Sequence, residues 1–434
     1  MIYKTELYNS VDSALSRLLQ YVEPCLEPDF VPVFDSRGYI LKGDIISNDD
    51  IPRYPSSHMD GFALKSVETV YASESEPVSF KISNNKSILG KYSSYILKSM
   101  EVYRIQTGGY LPNQSDAIIP IENVKYIDDK TINVLSPVKK GSFVYPAGAD
   151  IKKGDKVLSQ GQILRAQDMA FLACLQISKV SVYRKPVVAI IPTGSELTDD
   201  VEKNKKNKIQ KIVNTNSPLI SCIIDEIGGV PVDYGVTLDK SDILKKKIKI
   251  ALEKSDIILT IGGSSVGKQD IVETTINSLG TPGVIVHGVK LDRGRVSGLA
   301  VINGKPIIIL PGPVQGALNA FIVFVRPLVR FFLGQTQKSD LTIFATITEN
   351  WHARKKFFNF TKIVYVHISR YGSDFLAMPL TGETQSMSLL VKSNGYIIVS
   401  EEVIQITKGE KVEVNLLPGF SYIKDSLISN GANF

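Results

Sequence analysis

The sequence predicts a multidomain protein of α/β and β class, with a central doubly wound α/β domain, an inserted β-rich domain and a C-terminal β domain. Three observations carry this. Residues 186–334 alternate short apolar runs with helical patterns. Residues 49–146 hold short β-rich runs between turns. Residues 340–434 are β-rich again. The expected domains are 1–48 with 147–184 (discontinuous and mixed), 49–146 (inserted, β-rich), 185–335 (α/β) and 336–434 (C-terminal, β).

Residues 11–22 place Ala14, Leu15, Leu18, Leu19 and Val22 on one helical stripe. Val78–Ile82, Glu101–Ile105 and Ala117–Ile121 read as strands. Residues 161–176 return to helical spacing through Leu164, Met169, Phe171, Leu172 and Leu175. Pro186–Ile191 is a strand ending at Pro192-Thr193-Gly194. A helix then starts with Ser217 as N-cap and Pro218 in the first turn, and Gly228-Gly229 ends it. Another helix covers about 241–254, with Asp239 as a candidate cap. Asp256–Ile261 is a short apolar run bounded by turn residues, the pattern of a buried parallel strand. Pro306–Leu310 is a further strand, Pro311-Gly312-Pro313 a turn, and 314–326 a helix. In such sheets ligands bind beyond the carboxyl ends of the strands, and three polar turns, 192–197, 262–270 and 311–316, fall there.

Composition excludes several classes. The 434 residues are 43% hydrophobic and 22% charged, ordinary for a globular protein. A net charge of +6 suits anionic small molecules but lacks the dense basic stripe of a nucleic-acid binder. Cys25, Cys174 and Cys222 are odd in number and far apart, so a disulfide framework is not expected. Four scattered histidines argue against a His-rich metal site. The first residues lack a signal-peptide pattern, and the apolar run 320–334 carries Arg326, Pro327 and Arg330, so a cytoplasmic protein with no membrane span is expected. The lysine-rich stretch 202–211 reads as a solvated loop, with an electrostatic funnel for an anionic substrate as the other reading.

The turn after residue 261 is the most informative. Gly262, Gly263 and Gly267 remove side chains where backbone must turn and approach something closely. Successive N–H groups in such a turn form a nest for phosphate, and Asp270 stands within reach. An acid beside a phosphate seat calls for a cation between them, and magnesium is the obvious one. Gly262, Gly267 and Lys268 also match most of a P-loop, but Gln269 replaces the magnesium-binding hydroxyl, which makes an ATPase the weaker reading.

These motifs together resemble the molybdopterin molybdenumtransferase family, the MoeA and gephyrin E-domain proteins. Ser57-His58-Met59-Asp60-Gly61-Phe62-Ala63 is similar to its Ser-Ala-Met-Asp-Gly-Tyr-Ala. Residues 104–112 with Asp116 and Glu122, residues 147–154 with Asp150, the turn Pro192–Leu197, Asn216, and Gly262–Gly267 with Asp270 also fit, in register over nearly the whole chain. The resemblance implies insertion of molybdate or tungstate into adenylylated molybdopterin, with release of AMP and with Mg²⁺ as cofactor. It implies Asp60, Thr107, Glu196 and Asp270 as catalytic residues, with Asp270 and Glu196 holding magnesium. It implies Thr193, Gly194, Asn216, Asp239, Gly262, Gly263, Ser264, Ser265, Gly267, Arg293, Arg295, Pro311 and Gly312 as substrate-binding. A homodimer is implied, in which the inserted β domain faces the partner's pterin site. The adenylyltransferase of the same pathway is a candidate partner.

The sequence departs from the family where the oxyanion is expected. Lys-Pro-Gly-Lys-Pro is replaced by Asp292-Arg293-Gly294-Arg295-Val296, with Lys290 nearby as a further cation. Leu-Pro-Gly-Asn-Pro-Val-Ser-Ala is replaced by Leu310-Pro311-Gly312-Pro313-Val314-Gln315-Gly316-Ala317. Alternatives to the transferase are a non-catalytic pterin-nucleotide-binding scaffold, which would keep the cleft without the chemistry, and a molybdopterin adenylyltransferase, a family that resembles this chain in the Gly262-Gly263…Gly267…Asp270 sheet domain.

Overall fold

The computed structural model describes residues 8–23, 27–207, 209–263, 271–335 and 341–417. The chain divides into two compact units, one of residues 1–29, 38–40 and 182–434, the other of 30–37 and 41–181. The larger unit begins with helix α1 (Val11–Leu19), capped by Ser10, whose hydroxyl oxygen accepts from the Ser13 N–H at 3.2 Å. Its buried Val11, Ala14 and Leu18 repeat at helical spacing and join the largest core.

The smaller unit is built on a six-stranded sheet. Its strands are β1 (Gly61–Leu64), β2 (Val78–Lys86), β3 (Glu101–Ile105), β4 (Ala117–Pro120), β5 (Val124–Asp128) and β6 (Thr131–Val134). They lie in the order β4-β1-β3-β2-β6-β5, antiparallel except for β2 beside β3. Alternate residues serve two cores, Phe62 and Leu64 on one side of β1 and Ala63 on the other. Position 61 must be glycine, since a Cβ there would sit 2.1 Å from the Ile119 carbonyl oxygen. Helix α2 (Ala166–Cys174) opens with Asp168 accepting the Arg165 N–H at 2.8 Å.

In the larger unit the alternation becomes β7 (Val187–Pro192), α3 (Val201–Lys206), α4 (Asn216–Glu226), β8 (Val230–Asp233), α5 (Ser241–Lys254), β9 (Ile257–Ile261), α6 (Ile271–Asn277), β10 (Pro282–His287), β11 (Gly298–Ile302), β12 (Lys305–Leu310), α7 (Val314–Ala320) and α8 (Arg326–Phe332). The sheet order is β8-β7-β9-β12-β11-β10. Both faces are covered. Val188, Ile190, Ile257, Leu259, Ile308 and Leu310 pack with α1, α4, α7 and α8. Ala189, Ile191, Ile258, Ile307 and Ile309 pack with α5 and α6. Burial on two sides is why these strands are apolar at almost every position, with Thr260 the polar exception inside β9.

The sheet is not wholly parallel, as the sequence pattern had suggested. β8, β7, β9 and β12 are parallel, but β11 runs antiparallel to β12 and β10 antiparallel to β11. The reason is local. Asn303 and Gly304, at φ 51° and 74°, form a two-residue hairpin turn that reverses the chain with no crossover.

Two helix expectations are corrected. Ser217 is not the N-cap of α4. The cap is Thr215, and the Asn214 side-chain oxygen accepts the Ser217 N–H at 3.3 Å. Asp239 does not cap α5, whose N-cap is Lys240 without a side-chain bond. The run 314–332 is also longer than the sequence reading allowed. A π-helical turn, Phe321–Val325, joins α7 to α8 just before Pro327, where a missing N–H disturbs the ladder. Among the described residues this is the one helix long and apolar enough to cross a bilayer, and 78% of it is buried inside the protein.

The C-terminal part of this unit is a closed five-stranded barrel with a small apolar core. Its strands are β13 (Thr342–Ile347), β14 (Lys362–Tyr371), β15 (Asp374–Pro379), β16 (Gly395–Val399) and β17 (Lys411–Leu416), in the order β13-β15-β14-β16-β17. Helix α9 (Met387–Lys392) lies between β15 and β16 in the chain. At the start of β14 the buried Lys362 ammonium donates to the carbonyls of Phe358, Ser400, Glu401 and Val403 at 2.8–3.2 Å.

Candidate functional site

The carboxyl ends of β7, β9 and β12 open into a cavity of about 400 Å³. Thr193, Glu196, Asn214, Thr215, Asn216, Gly262, Gly312, Gln385 and Met387 are among its lining residues. Close packing of three loops makes it. A Cβ on Gly262, at φ 84°, would lie 2.6 Å from the Thr193 carbonyl oxygen. A Cβ on Gly263, at φ 67°, would meet the Val272 and Thr193 side chains at 2.9 and 3.0 Å. Both the left-handed backbone and the space exclude a side chain. Glu196 folds its carboxylate back over the Gly194 turn.

The expected diphosphate nest falls mostly outside the described residues, and the hydrogen bonds show that three described amides beside it are engaged. Thr193 N–H donates to the Ile261 carbonyl at 2.8 Å, Gly194 N–H to Thr237 at 2.9 Å and Gly262 N–H to Leu310 at 3.0 Å. These amides hold the strand ends together and are already satisfied. Ser195 N–H is also taken, by the Asp239 carboxylate at 2.8 Å, while Asp239 N–H donates to Ser195 Oγ at 3.2 Å. Asp239 therefore clasps the 192–197 turn. Asn216, at the head of α4, donates from Nδ2 to the Gly312 carbonyl at 2.7 Å. Its Oδ1 is buried with no hydrogen-bond partner among the described residues, which leaves an acceptor for a ligand donor at the cavity wall.

A second cavity, of about 360 Å³, adjoins the first through the shared residues Pro313 and Gln385. Arg293, Arg295, Arg354 and Lys356 line it, with Pro311 and Thr384. Arg293 donates from Nη1 to Gln315 Oε1. Burial and the neighbouring Arg354 charge lower the Arg293 pKa, the signature of cations gathered in partly dry surroundings. Asp292 pairs with Arg354, accepting from Nη2 and, at 3.4 Å, from Nε. Lys290, expected as a stand-in cation, is instead in an ion pair with Glu401 at 3.5 Å. A third cavity, of about 480 Å³, lies on the barrel side, and Arg293 and Arg354 line it too.

The smaller unit brings together two other expected residues. Asp60 Oδ1 accepts from the Thr107 N–H at 2.7 Å and from its hydroxyl at 2.8 Å. Those two bonds, the backbone one first, hold the Asp60 pKa below the usual carboxylate range. Ser264, Ser265, Gly267 and Asp270 lie outside the described residues. Among the described residues no cluster of three or more metal-ligating side chains occurs. Glu196, a hard oxygen donor at the cavity wall, is the ligand type magnesium takes when substrate phosphates complete its shell.

Sequence reasoning missed Asn214, Arg354, Thr384 and Gln385. Arg354 sits 62 residues from Asp292, and nothing in its local pattern signals the pairing. The stretch 202–211, read as a solvated loop, holds α3 and is closed by Asn204, whose side chain bonds both the N–H and the carbonyl of Lys211 at 2.8 Å.

Comparison with known proteins gives two family matches. Residues 9–175 match the "MoeA N-terminal region (domain I and II)" and residues 189–330 the "Probable molybdopterin binding domain". A molybdopterin molybdenumtransferase of Staphylococcus aureus is 32% identical over 327 residues, 75% of this chain and 77% of that protein. One of Bacillus subtilis is 27% identical over 94% of both chains. The crystal structure of a molybdopterin biosynthesis MoeA protein from Pyrococcus horikoshii superposes with a TM-score of 0.80 at 28% identity, over 95% of this chain and all of that one.

Proposed function

The chain belongs to the molybdopterin molybdenumtransferase (MoeA) family, and on that premise we propose that it inserts molybdate, or tungstate, into adenylylated molybdopterin and releases AMP. One observation carries this reading: two adjoining chambers share Pro313 and Gln385, one with polar groups at strand ends, the other lined by four cations. A substrate with a nucleotide at one end and a metal-accepting dithiolene at the other needs such a pair.

In this reading the first chamber takes the nucleotide. Asn216 Oδ1 accepts from a ligand N–H or O–H, and Asp239 and Asn216 keep the loops at their working distance. Ser264, Ser265 and Gly267, which the family resemblance implies as substrate-binding, would contact the phosphates, since the amides of Thr193, Gly194 and Gly262 are engaged. Glu196 and Asp270 would hold Mg²⁺, which when bound neutralises phosphate charge. The second chamber seats the oxyanion with Arg293, Arg295 and Arg354. The reaction balances. Both dithiolene sulfurs bind molybdenum, one oxo ligand leaves as water with the two thiol protons, and one water is consumed in splitting the phosphoanhydride to AMP and molybdopterin phosphate. Asp60 and Thr107, in the smaller unit, would act on a partner subunit's substrate in a cytoplasmic homodimer, with the pathway's adenylyltransferase as donor of the substrate.

The test is incubation of purified protein with adenylylated molybdopterin, Mg²⁺ and molybdate, following AMP and metal-bearing cofactor. Wild type should yield both, and Glu196→Gln and Asp270→Ala should yield neither while still folding. Tight substrate binding without product would assign a scaffold instead. Consumption of ATP and free molybdopterin would assign an adenylyltransferase.

A further inference from the structure

The departures from the family's oxyanion motifs form one connected group, and their meaning rests on reading the cationic chamber as an oxyanion seat. Arg293 has a left-handed backbone, φ 60°, and its guanidinium is held by Gln315, whose Nε2 in turn donates to the Glu383 carbonyl at 2.8 Å. Gly316 is required beside it, because a Cβ there would lie 2.5 Å from the Arg293 carbonyl oxygen. A serine at 316 and this arginine backbone are incompatible, so the two replacements depend on each other.

The same group fixes Asp292. Its N–H donates to Thr361 at 2.8 Å, and its carbonyl accepts from Asn319 Nδ2 at 3.1 Å. Asn319 is itself held by the buried Tyr365 hydroxyl at 2.9 Å. On this anchored backbone the Asp292 side chain is 13% exposed and takes two nitrogens of Arg354, which is 40% exposed. Arg354 is thus the movable partner and Asp292 the fixed one. Both edges of the wall between the second and third cavities, Arg293 and Arg354, carry cations, and the one paired with a carboxylate is Arg354.

We propose that Asp292 is an intramolecular competitor for the oxyanion, occupying the guanidinium fork of Arg354 until molybdate displaces it. Asp292 takes the Nε and Nη2 edge of the guanidinium, and a tetrahedral oxyanion presents the same two-oxygen edge to it, so only one of them can hold that edge. Competition inside the protein lowers the affinity of every oxyanion by the same factor, the fraction of molecules with Arg354 open. Weakly held anions such as sulfate and phosphate then stay below occupancy. Direct repulsion by Asp292 would behave differently, since it grows with the charge of the anion.

The two are separated by titration calorimetry of full-length protein with molybdate, a dianion, and perrhenate, a monoanion of similar shape. Asp292→Asn should tighten both by a common factor, on the order of tenfold for a partly buried bidentate pair. Arg354→Gln should weaken both, and in that background Asp292→Asn should change nothing. Asp292→Ser serves as a second variant, and thermal melting checks folding. A gain for molybdate alone, a gain that persists without Arg354, or unchanged affinity in both Asp292 variants overturns the proposal while leaving the oxyanion seat intact. Failure of wild type and all variants to bind either anion at millimolar concentration removes the seat itself, and the competitor with it.

Discussion

The Asn216 side-chain amide donates to the Gly312 carbonyl at 2.7 Å, tying the head of α4 to the loop after β12. The bond spans 96 residues and leaves the other end of the amide, Oδ1, buried at the cavity wall. Asn216→Ala should therefore raise KM for adenylylated molybdopterin by about tenfold, while unfolding free energy falls by about 1 kcal/mol. Steady-state kinetics and urea unfolding of the same preparation check both. A large stability loss with unchanged KM would make the residue a structural tie only.

Glycine at 262 and glycine at 312 should differ in the cost of an alanine. At 262 the added carbon meets the Thr193 carbonyl oxygen at 2.6 Å on a left-handed backbone. At 312 the nearest atom, Gly262 Cα, is 3.7 Å away, an ordinary contact. Gly262→Ala should cost about 1–3 kcal/mol and Gly312→Ala under about 1 kcal/mol. Denaturant midpoints compared at equal slope measure the difference.

Lys362→Met should destabilise the barrel. Four carbonyls converge on one buried ammonium, and methionine supplies none of the donors. Loss of about 2–4 kcal/mol follows from stranding those oxygens. Hydrogen exchange should show the loss concentrated at residues 358 and 400–403, and uniform loss across the chain would contradict it.

Asp60 offers a pH test with a definite sign. Thr107 holds its folded pKa below the unfolded value, so the carboxylate's contribution to stability is present above the unfolded pKa and fades as pH falls through the folded one. Thr107→Val removes the hydroxyl bond and keeps the larger backbone one. The Asp60 pKa, read from carboxyl-carbon NMR shifts, should rise part of the way toward the ordinary range. The acidic limb of the activity profile should move to higher pH with it if Asp60 acts on the substrate.

Much of the architecture was legible in local pattern. Ile257–Ile261 reads as a strand because, Thr260 apart, its positions are apolar, as packing on both faces favours. The reversal at Asn303-Gly304 is a known hairpin signal, yet the sequence reading passed over it, and Pro306–Leu310 was placed in a parallel array with no antiparallel neighbour. Asp239 looked like a helix cap because it stands just before α5. Its true partner, Ser195, lies 44 residues back in the chain.

By itself the sequence determined the family, the alternation of strand and helix, and the clustering of glycines and acids at strand ends, all of which are properties of spacing along the chain. Only the tertiary structure decided which of those groups remain available. Thr193, Gly194 and Gly262 turn out to bond neighbouring loops, and Asp292 to hold Arg354. The physical reason is that a polar group's partner is chosen by distance in space, and every buried donor must find one wherever the fold brings it.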